Sequence, residues 1–199
     1  MVETMRLSIC VPARNRQFYF QKTIEGLLRS KRDDIEFIFV DNSDAPLIMN
    51  DFMRAYADDP RVVYLPSADR VLSMKDNWER SLQAATGDWV TFIGDDDYIG
   101  PDAMTVIKAI KRVNPEIDAI CWAVIGYTWP SKELPRHGIM IPFNSFVVKL
   151  PQKQLMDKMF GWHEAGVVPT SGFSIYHCAI SRPLLEKIKA IGGGNYFEH

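Results

Sequence analysis

Gly87-Asp88-Trp89-Val90-Thr91-Phe92-Ile93-Gly94-Asp95-Asp96-Asp97 is the stretch on which the fold turns. Trp89 to Ile93 is a short, nearly continuous apolar run, which suits a strand buried on both faces better than a helix of ordinary length. Gly87-Asp88 turns the chain into that strand, and Gly94 releases it into three adjacent carboxylates.

Upstream, the same grammar repeats. Leu7 to Val11 is an apolar run ended by Pro12, and Glu36 to Val40 is a second that stops at Asp41-Asn42-Ser43-Asp44. Val62 to Leu65 is a third. Between them the apolar spacing changes to that of a helix. Phe20, Ile24, Leu27 and Leu28 mark a helix over 18–30, Leu47 to Tyr56 reads as another, and Met74, Trp78, Leu82 and Ala85 form a third stripe. Downstream of the triplet, Pro101 suits a first helical position and Asp102 complements the positive end of the dipole. Lys108, Lys111 and Arg112 complement the negative end. Asn114-Pro115 stops that helix, and Asp118 to Trp122 reads as a fifth strand. Strands separated by crossover helices imply an α/β fold, an open and mostly parallel sheet with helices on both faces.

The alternation ends near Ile125, which divides the chain into residues 1–124 and 125–199. Pro130, Pro135, Pro142 and Pro151 punctuate the second part, read as an irregular region closing over one end of the sheet. Within it Lys153 to Met159 looks helical and Ser174 to Ile180 looks like a strand. Ser181 is placed to cap a helix from Arg182 to Ile191, ended by Gly192-Gly193-Gly194.

Composition narrows the class. The 199 residues are 47 % hydrophobic and 24 % charged, as in ordinary globular domains. Their 23 basic and 25 acidic side chains leave a net charge of -2, so bulk electrostatics attracts neither nucleic acid nor anionic lipid. A phosphate-bearing ligand must therefore be held locally. Met1 to Arg6 lacks the apolar core of a signal peptide, and no run approaches the length of a membrane span. Cys10, Cys121 and Cys178 form no CxxC pair. Their odd number is read as buried thiols in a reducing compartment, with the cytoplasm as the expected location.

Ligands of open parallel sheets bind beyond the carboxyl ends of the strands. Three polar clusters follow strands directly: Pro12-Ala13-Arg14-Asn15-Arg16, Asp41-Asn42-Ser43-Asp44 and Asp95-Asp96-Asp97. A parallel sheet brings all three to one rim. Adjacent carboxylates repel unless a cation or a proton relieves them, and hard oxygen donors suit Mg²⁺ or Mn²⁺ shared with substrate phosphates. The plain alternative is a solvated acidic turn before the next helix. Asp41 suits a ribose hydroxyl or a base N–H, against an ordinary turn-forming role. Arg14 and Arg16 suit a diphosphate, against simple solvation. Lys75 and Asn77 open a helix that points toward the same rim, Lys75 reading as an exposed first-turn residue.

Three of these stretches together resemble family 2 glycosyltransferases of the GT-A fold: Ser8 to Arg16, Ile38 to Ser43, and Gly87 to Asp97. The resemblance spans about residues 6 to 113 in order and spacing. It implies an inverting transfer of a sugar from a nucleoside-diphosphate donor, a UDP-sugar for preference, to a hydroxyl of a glycan or lipid-linked acceptor. It implies a nucleoside pocket from Pro12, Ala13, Arg14, Asn15 and Asp41, with Ser73 and Asn77 near the donor. Asp95 and Asp97 match the outer carboxylates of the DxD motif and would hold Mn²⁺ or Mg²⁺, with Asp96 between them. Gly94 and Asn42 stand where the family most often has acidic residues. The setting it implies is bacterial polysaccharide assembly, in the cytoplasm or peripheral to the inner face of the membrane.

The family's general base lies in the acceptor half. Glu164, in Trp162-His163-Glu164, and Glu198 are the candidates here, although both also read as surface residues and the base can lie beyond residue 199. His137, His163 and His177 read as locally hydrogen-bonded, and Trp122 and Trp129 as core or wall. A non-catalytic donor-binding module of the same fold is the alternative. A nucleotidyltransferase would carry a glycine-rich phosphate loop after the first strand, and a dinucleotide oxidoreductase would carry G-x-G-x-x-G there; both are missing.

Overall fold

The computed structural model describes residues 5–122, 126–128, 138–140, 176 and 178–197. Strands β1 (Leu7–Ala13), β2 (Ile35–Asp41), β3 (Val62–Leu65), β4 (Trp89–Phe92) and β5 (Ala119–Cys121) alternate with helices α1 (Gln17–Leu27), α2 (Leu47–Met53), α3 (Met74–Ala84) and α4 (Ala103–Val113). A 3₁₀ turn, Arg54–Tyr56, extends α2 to the length expected of a single helix. Strands β6 (Gly126–Thr128) and β7 (Gly138–Met140) pair antiparallel, a small hairpin inside the stretch read as irregular. Strand β8 (Cys178–Ser181) and helix α5 (Arg182–Ile191) follow.

The six-stranded sheet runs β3-β2-β1-β4-β8-β5. β1 is parallel to β2 on one side and to β4 on the other, and β3 is parallel to β2. β8 enters antiparallel between β4 and β5, so residues from beyond Ile125 complete the sheet rather than sitting wholly outside it. The expectation of a mostly parallel sheet with helices on both faces holds.

Alternation along the strands explains the two cores. Leu7, Ile9 and Val11 of β1, with Phe37 and Phe39 of β2, pack against Phe20, Ile24 and Leu27 of α1, Met49 of α2, and Met104 and Ile107 of α4. The opposite face sets Cys10, Ile38, Val90 and Phe92 against Leu82 of α3 and Leu185 of α5. Every residue of β2 is buried, which is why its apolar run is continuous.

The amino ends of β1, β2 and β4 meet at one buried carboxylate. Glu36 accepts from Ser8 Oγ, from Thr86 N–H and Oγ1, and from Gly87 N–H, with Arg6 Nη1 3.6 Å away. Burial alone would raise its pKa, but the bonds from Ser8 and Thr86 and the charge of Arg6 outweigh it and hold Glu36 below the usual carboxylate range. Arg182 ties α5 to the same corner by donating to the carbonyls of Gly87 and Ala85. Ser181 caps α5 as expected, accepting from Leu184 N–H while its hydroxyl donates to Asp118.

Two expectations need correction. Pro101 is not the first helical residue: Ala103 N–H bonds the Gly100 carbonyl, and this tight turn delays α4 until Ala103. The three cysteines are not all free thiols. Cys121 and Cys178 are disulfide-bonded, because the antiparallel register of β5 and β8 sets them directly opposite each other, while Cys10 is free and buried. The cysteine count therefore gives no support to a reducing compartment. The helix expected over Lys153 to Met159 lies outside the described residues, as does the strand expected from Ser174 apart from Tyr176 and the residues from Cys178 onward. No helix among the described residues is long and apolar enough to cross a membrane.

Three outcomes follow for stability. A Cβ at Gly87 would lie 2.6 Å from Ser8 Oγ and 2.8 Å from the Arg6 carbonyl, so Gly87→Ala should cost about 1–3 kcal/mol in thermal or urea unfolding. At Gly26, inside α1, the nearest atom is Tyr98 Cδ2 at 3.6 Å, and Gly26→Ala should instead stabilise by about 0.5–1 kcal/mol. Asp34 joins β2 to α4 through Arg32 and Lys108, and the Arg32 hydrogen bond, opposed by partial burial and aided by Lys108, holds its pKa down at about 2. Because that value lies below the unfolded one, its stabilisation is present above pH 4 and is lost as pH falls from about 4 to 2. Asp34→Asn should lose about 1 kcal/mol at pH 7 and show a shallower acid limb.

Candidate donor site at the carboxyl rim

The strand order reverses between β1 and β4, since β2 and β3 extend one way from β1 and β4 starts the other. That is the switch point at which open α/β sheets form a crevice. The chain leaving β1 and the chain leaving β4 meet there.

Asn15 makes the turn after β1. It has φ 56, a left-handed conformation that asparagine tolerates better than most residues. Its backbone N–H donates to Ser43 Oγ at 2.8 Å, its Nδ2 donates to Asp44 at 2.7 Å, and its Oδ1 accepts from Asp44 N–H at 2.9 Å. Asn15, expected at the nucleoside, is thus engaged in joining the ends of β1 and β2. Arg14 lies beside it, 3.5 Å from Asp44 in an exposed pair. Pro12 and Ala13 end β1, with Ala13 registered against Asp41.

Asp41 is fully buried. Its Oδ1 accepts from the N–H and hydroxyl of Ser43, which is the turn-forming role. Its Oδ2 is buried and has no hydrogen-bond partner among the described residues. A buried anionic oxygen left in this way is costly unless a ligand donor completes it. Asn42 clamps the approach to α3, donating to the Leu72 carbonyl and accepting from Leu72 N–H. An aspartate could not make both bonds, so this departure from the family pattern has a structural use.

Across the crevice, Ser73 caps α3 by accepting from Asp76 N–H. Asn77 is buried one turn on, and its Oδ1 accepts from Arg80. Arg80 reaches the carbonyls of Pro66 and Asp41, so it spans α3 and the ends of β2 and β3. Sequence reasoning missed Arg80. Its signal was a position three residues after Asn77, on the same helical face.

The acidic turn is gripped from α1. Thr23 Oγ1 donates to the Asp95 carbonyl at 2.9 Å and sits 3.3 Å from the Asp97 carbonyl. Arg16 Nη1 donates to Asp95 Oδ1 at 2.8 Å and Nη2 to Asp96 Oδ2 at 2.5 Å. Asp97 Oδ2 accepts from Gly94 N–H. Asp95 is 6 % exposed, and burial pushes its pKa up to about 6; Arg16 opposes this, and the charges of Asp96 and Asp97 add to it. Burial raises the phenol pKa of Tyr176, and the charges of Asp95, Asp97 and Asp96 raise it further. Its ring packs on Trp78 of α3. Thr23 and Tyr176 were both missed, Thr23 because a hydroxyl in a helical stripe reads as packing.

Among the described residues, no three His, Cys, Asp or Glu side chains are arranged around a common metal position. The donor chemistry nonetheless fits a hard divalent cation, since the turn offers three carboxylates and Arg16 and Gly94 take one oxygen from each. Glu164, Glu198, His137, His163, His177 and Trp129 lie outside the described residues.

The raised pKa of Asp95 has a defined sign. Its contribution to stability is present below pH 3.8 and disappears as pH rises through about 6. Asp95→Asn should flatten unfolding free energy between pH 4 and 7 and leave the variant at least as stable as wild type at pH 8. A clear loss at pH 8 in chemical denaturation would contradict this account.

Comparison with known proteins agrees with the geometry. Over 102 residues the chain is 28 % identical to GalNAc(5)-diNAcBac-PP-undecaprenol beta-1,3-glucosyltransferase of Campylobacter jejuni, covering 51 % of this chain and 33 % of that one. It is 30 % identical over 102 residues to the putative glycosyltransferase EpsH of Bacillus subtilis, covering 51 % and 29 %. The chain thus spans about a third of the length of these curated relatives. Its structure resembles mannosyltransferase PcManGT from Pyrobaculum calidifontis, solved in complex with GDP-Man and Mn²⁺. The TM-score is 0.57 at 17 % identity over 92 % of this chain and 46 % of that one, a likeness that shows the GT-A fold. The model of the family described as Glycosyl transferase family 2 matches residues 8–183, nearly the whole sheet and the rim it carries, and the chain belongs to that family.

Proposed function

We propose that this chain takes a sugar from a nucleoside-diphosphate donor, a UDP-sugar for preference, and delivers it with inversion to a hydroxyl of a glycan or lipid-linked acceptor. The observation that carries the reading is the joining of three loops at one rim. Asn15 links the end of β1 to that of β2, and Arg16 links it to that of β4. Asp41 and the acidic turn are thereby held on either side of the same switch point.

Asp41 Oδ2 is the acceptor for a base N–H or a ribose hydroxyl, with Arg14 and Arg80 flanking the nucleoside. Ser73 and Asn77 form the wall from α3. Asp95 and Asp97, with Asp96, would hold Mn²⁺ or Mg²⁺. When bound, that ion offsets the charge that grows on the leaving diphosphate. Thr23 keeps the turn in place, so the carboxylates need no reorganisation as charge moves. A carboxylate on the acceptor side takes the hydroxyl proton, with Glu164 and Glu198 the candidates within this sequence. That PcManGT was solved in complex with GDP-Man and Mn²⁺ supports a nucleotide-sugar donor and a divalent ion here. The undecaprenol-linked name of the Campylobacter relative supports a lipid-linked acceptor and a place peripheral to a membrane.

Calorimetry with UDP-sugars and GDP-sugars, with and without Mn²⁺, tests this. Asp97→Ala should abolish Mn²⁺-dependent donor binding and leave the thermal midpoint within a few degrees of wild type. Asp41→Asn keeps the Ser43 turn but lacks the anionic acceptor, and should weaken nucleotide binding about tenfold or more. Unchanged donor affinity in both variants would refute the site. Binding without transfer to any hydroxyl acceptor, or to water, would leave a donor-binding module in place of an enzyme.

A further inference from the structure

We propose that Arg16 is a built-in counter-cation for the acidic turn, one that bridges Asp95 and Asp96 while the donor site is empty and passes to the donor diphosphate when a divalent ion binds the turn. This rests on the donor-site reading above, in which Arg16 links the loops, and gives that residue a further positioning role.

The geometry is that of an exchangeable partner. The guanidinium makes one bond to each of two neighbouring carboxylates, Asp95 Oδ1 at 2.8 Å and Asp96 Oδ2 at 2.5 Å. It therefore occupies Asp95, one of the two carboxylates that would hold a cation on this turn, and ties down Asp96 beside it. Asp95 is enclosed and Arg16 is exposed. Asp95 is 8 % exposed at its side chain and its backbone is gripped by Thr23, whereas the Arg16 side chain is 44 % exposed. Arg16 occupies the N-cap position of α1, directly after the left-handed Asn15, so its backbone is held at the mouth of the crevice while its head group can swing. The Tyr19 ring lies 5.0 Å from the guanidinium carbon and supports it where it stands.

Charge gives the arrangement a consequence. A divalent ion alone would meet a guanidinium already seated on the turn, and a diphosphate alone would meet three carboxylates. With both present, the ion would replace Arg16 on Asp95 and the released guanidinium would face phosphate oxygens, for which its planar fork is suited. Arg16 thus couples the two ligands, so that each raises affinity for the other.

Mn²⁺ binding without nucleotide, read by electron paramagnetic resonance, together with UDP binding without metal, read by calorimetry, tests the proposal on the full chain. Arg16→Gln should raise affinity for Mn²⁺ alone about tenfold, lower affinity for UDP alone, and shrink the factor by which Mn²⁺ tightens UDP. Arg16→Lys, a point charge that cannot bridge two carboxylates, should fall between the two and guards against a folding defect in the first variant. Equal or weaker Mn²⁺ binding in a folded Arg16→Gln overturns the counter-cation role while leaving the donor site standing. UDP binding with no Mn²⁺ binding in any variant overturns both that role and the metal reading. Failure of UDP to bind with or without Mn²⁺ overturns the donor site itself.

Discussion

β1 is hydrogen-bonded along both edges and covered on both faces, and the remainder of the molecule is arranged around that condition. Its neighbours are β2, which follows it through α1, and β4, which arrives only after the chain has gone out to β3 and returned. A strand so enclosed has no room for polar side chains except at its ends. Ser8 sits near one end, and Arg14 to Arg16 follow the other. The reversal of direction at β1 leaves a crevice between the segments leaving β1 and β4, with Arg16 reaching across it.

The two ends of the sheet treat buried carboxylates in opposite ways. At the amino ends, Glu36 receives hydrogen bonds from Ser8, Thr86 and Gly87; burial opposes its charge, but the bonds from Ser8 and Thr86 and the charge of Arg6 outweigh it and hold its pKa down. At the carboxyl ends, Asp95 is buried beside two like charges with one guanidinium for relief, and its pKa is pushed up to about 6. Asp41 keeps one oxygen without a donor among the described residues. The first corner is satisfied and serves stability. The second is under-compensated, and such sites are where ligands and cations find their free energy.

Strand and helix identities were legible because burial on both faces leaves a plain mark, as in Ile35–Asp41, and because helical stripes such as Phe20, Ile24 and Leu27 match one covered face. β8 was partly legible, as a short apolar run before a good cap at Ser181. Its placement between β4 and β5 was not, since pairing partners distant in sequence leave no local trace. The Cys121–Cys178 link was hidden for the same reason: the two residues are 57 apart and meet only through the register of those strands. Asn15 and Ser73 stood where the site was expected, yet their polar atoms bond loop and helix backbone or Asp44. Spacing alone cannot distinguish a side chain that builds a site from one that fills it.

By itself the sequence determined the class of fold, the order of its strands along the chain and the three polar clusters that end them, because burial and turn chemistry are local demands that each residue meets where it stands. Tertiary structure alone decided which carboxylate is buried, which oxygen lacks a donor, and that Arg16 seats itself on Asp95 and Asp96. Those outcomes depend on distances between segments some eighty residues apart, and charge interactions are set by distance and burial rather than by order along the chain.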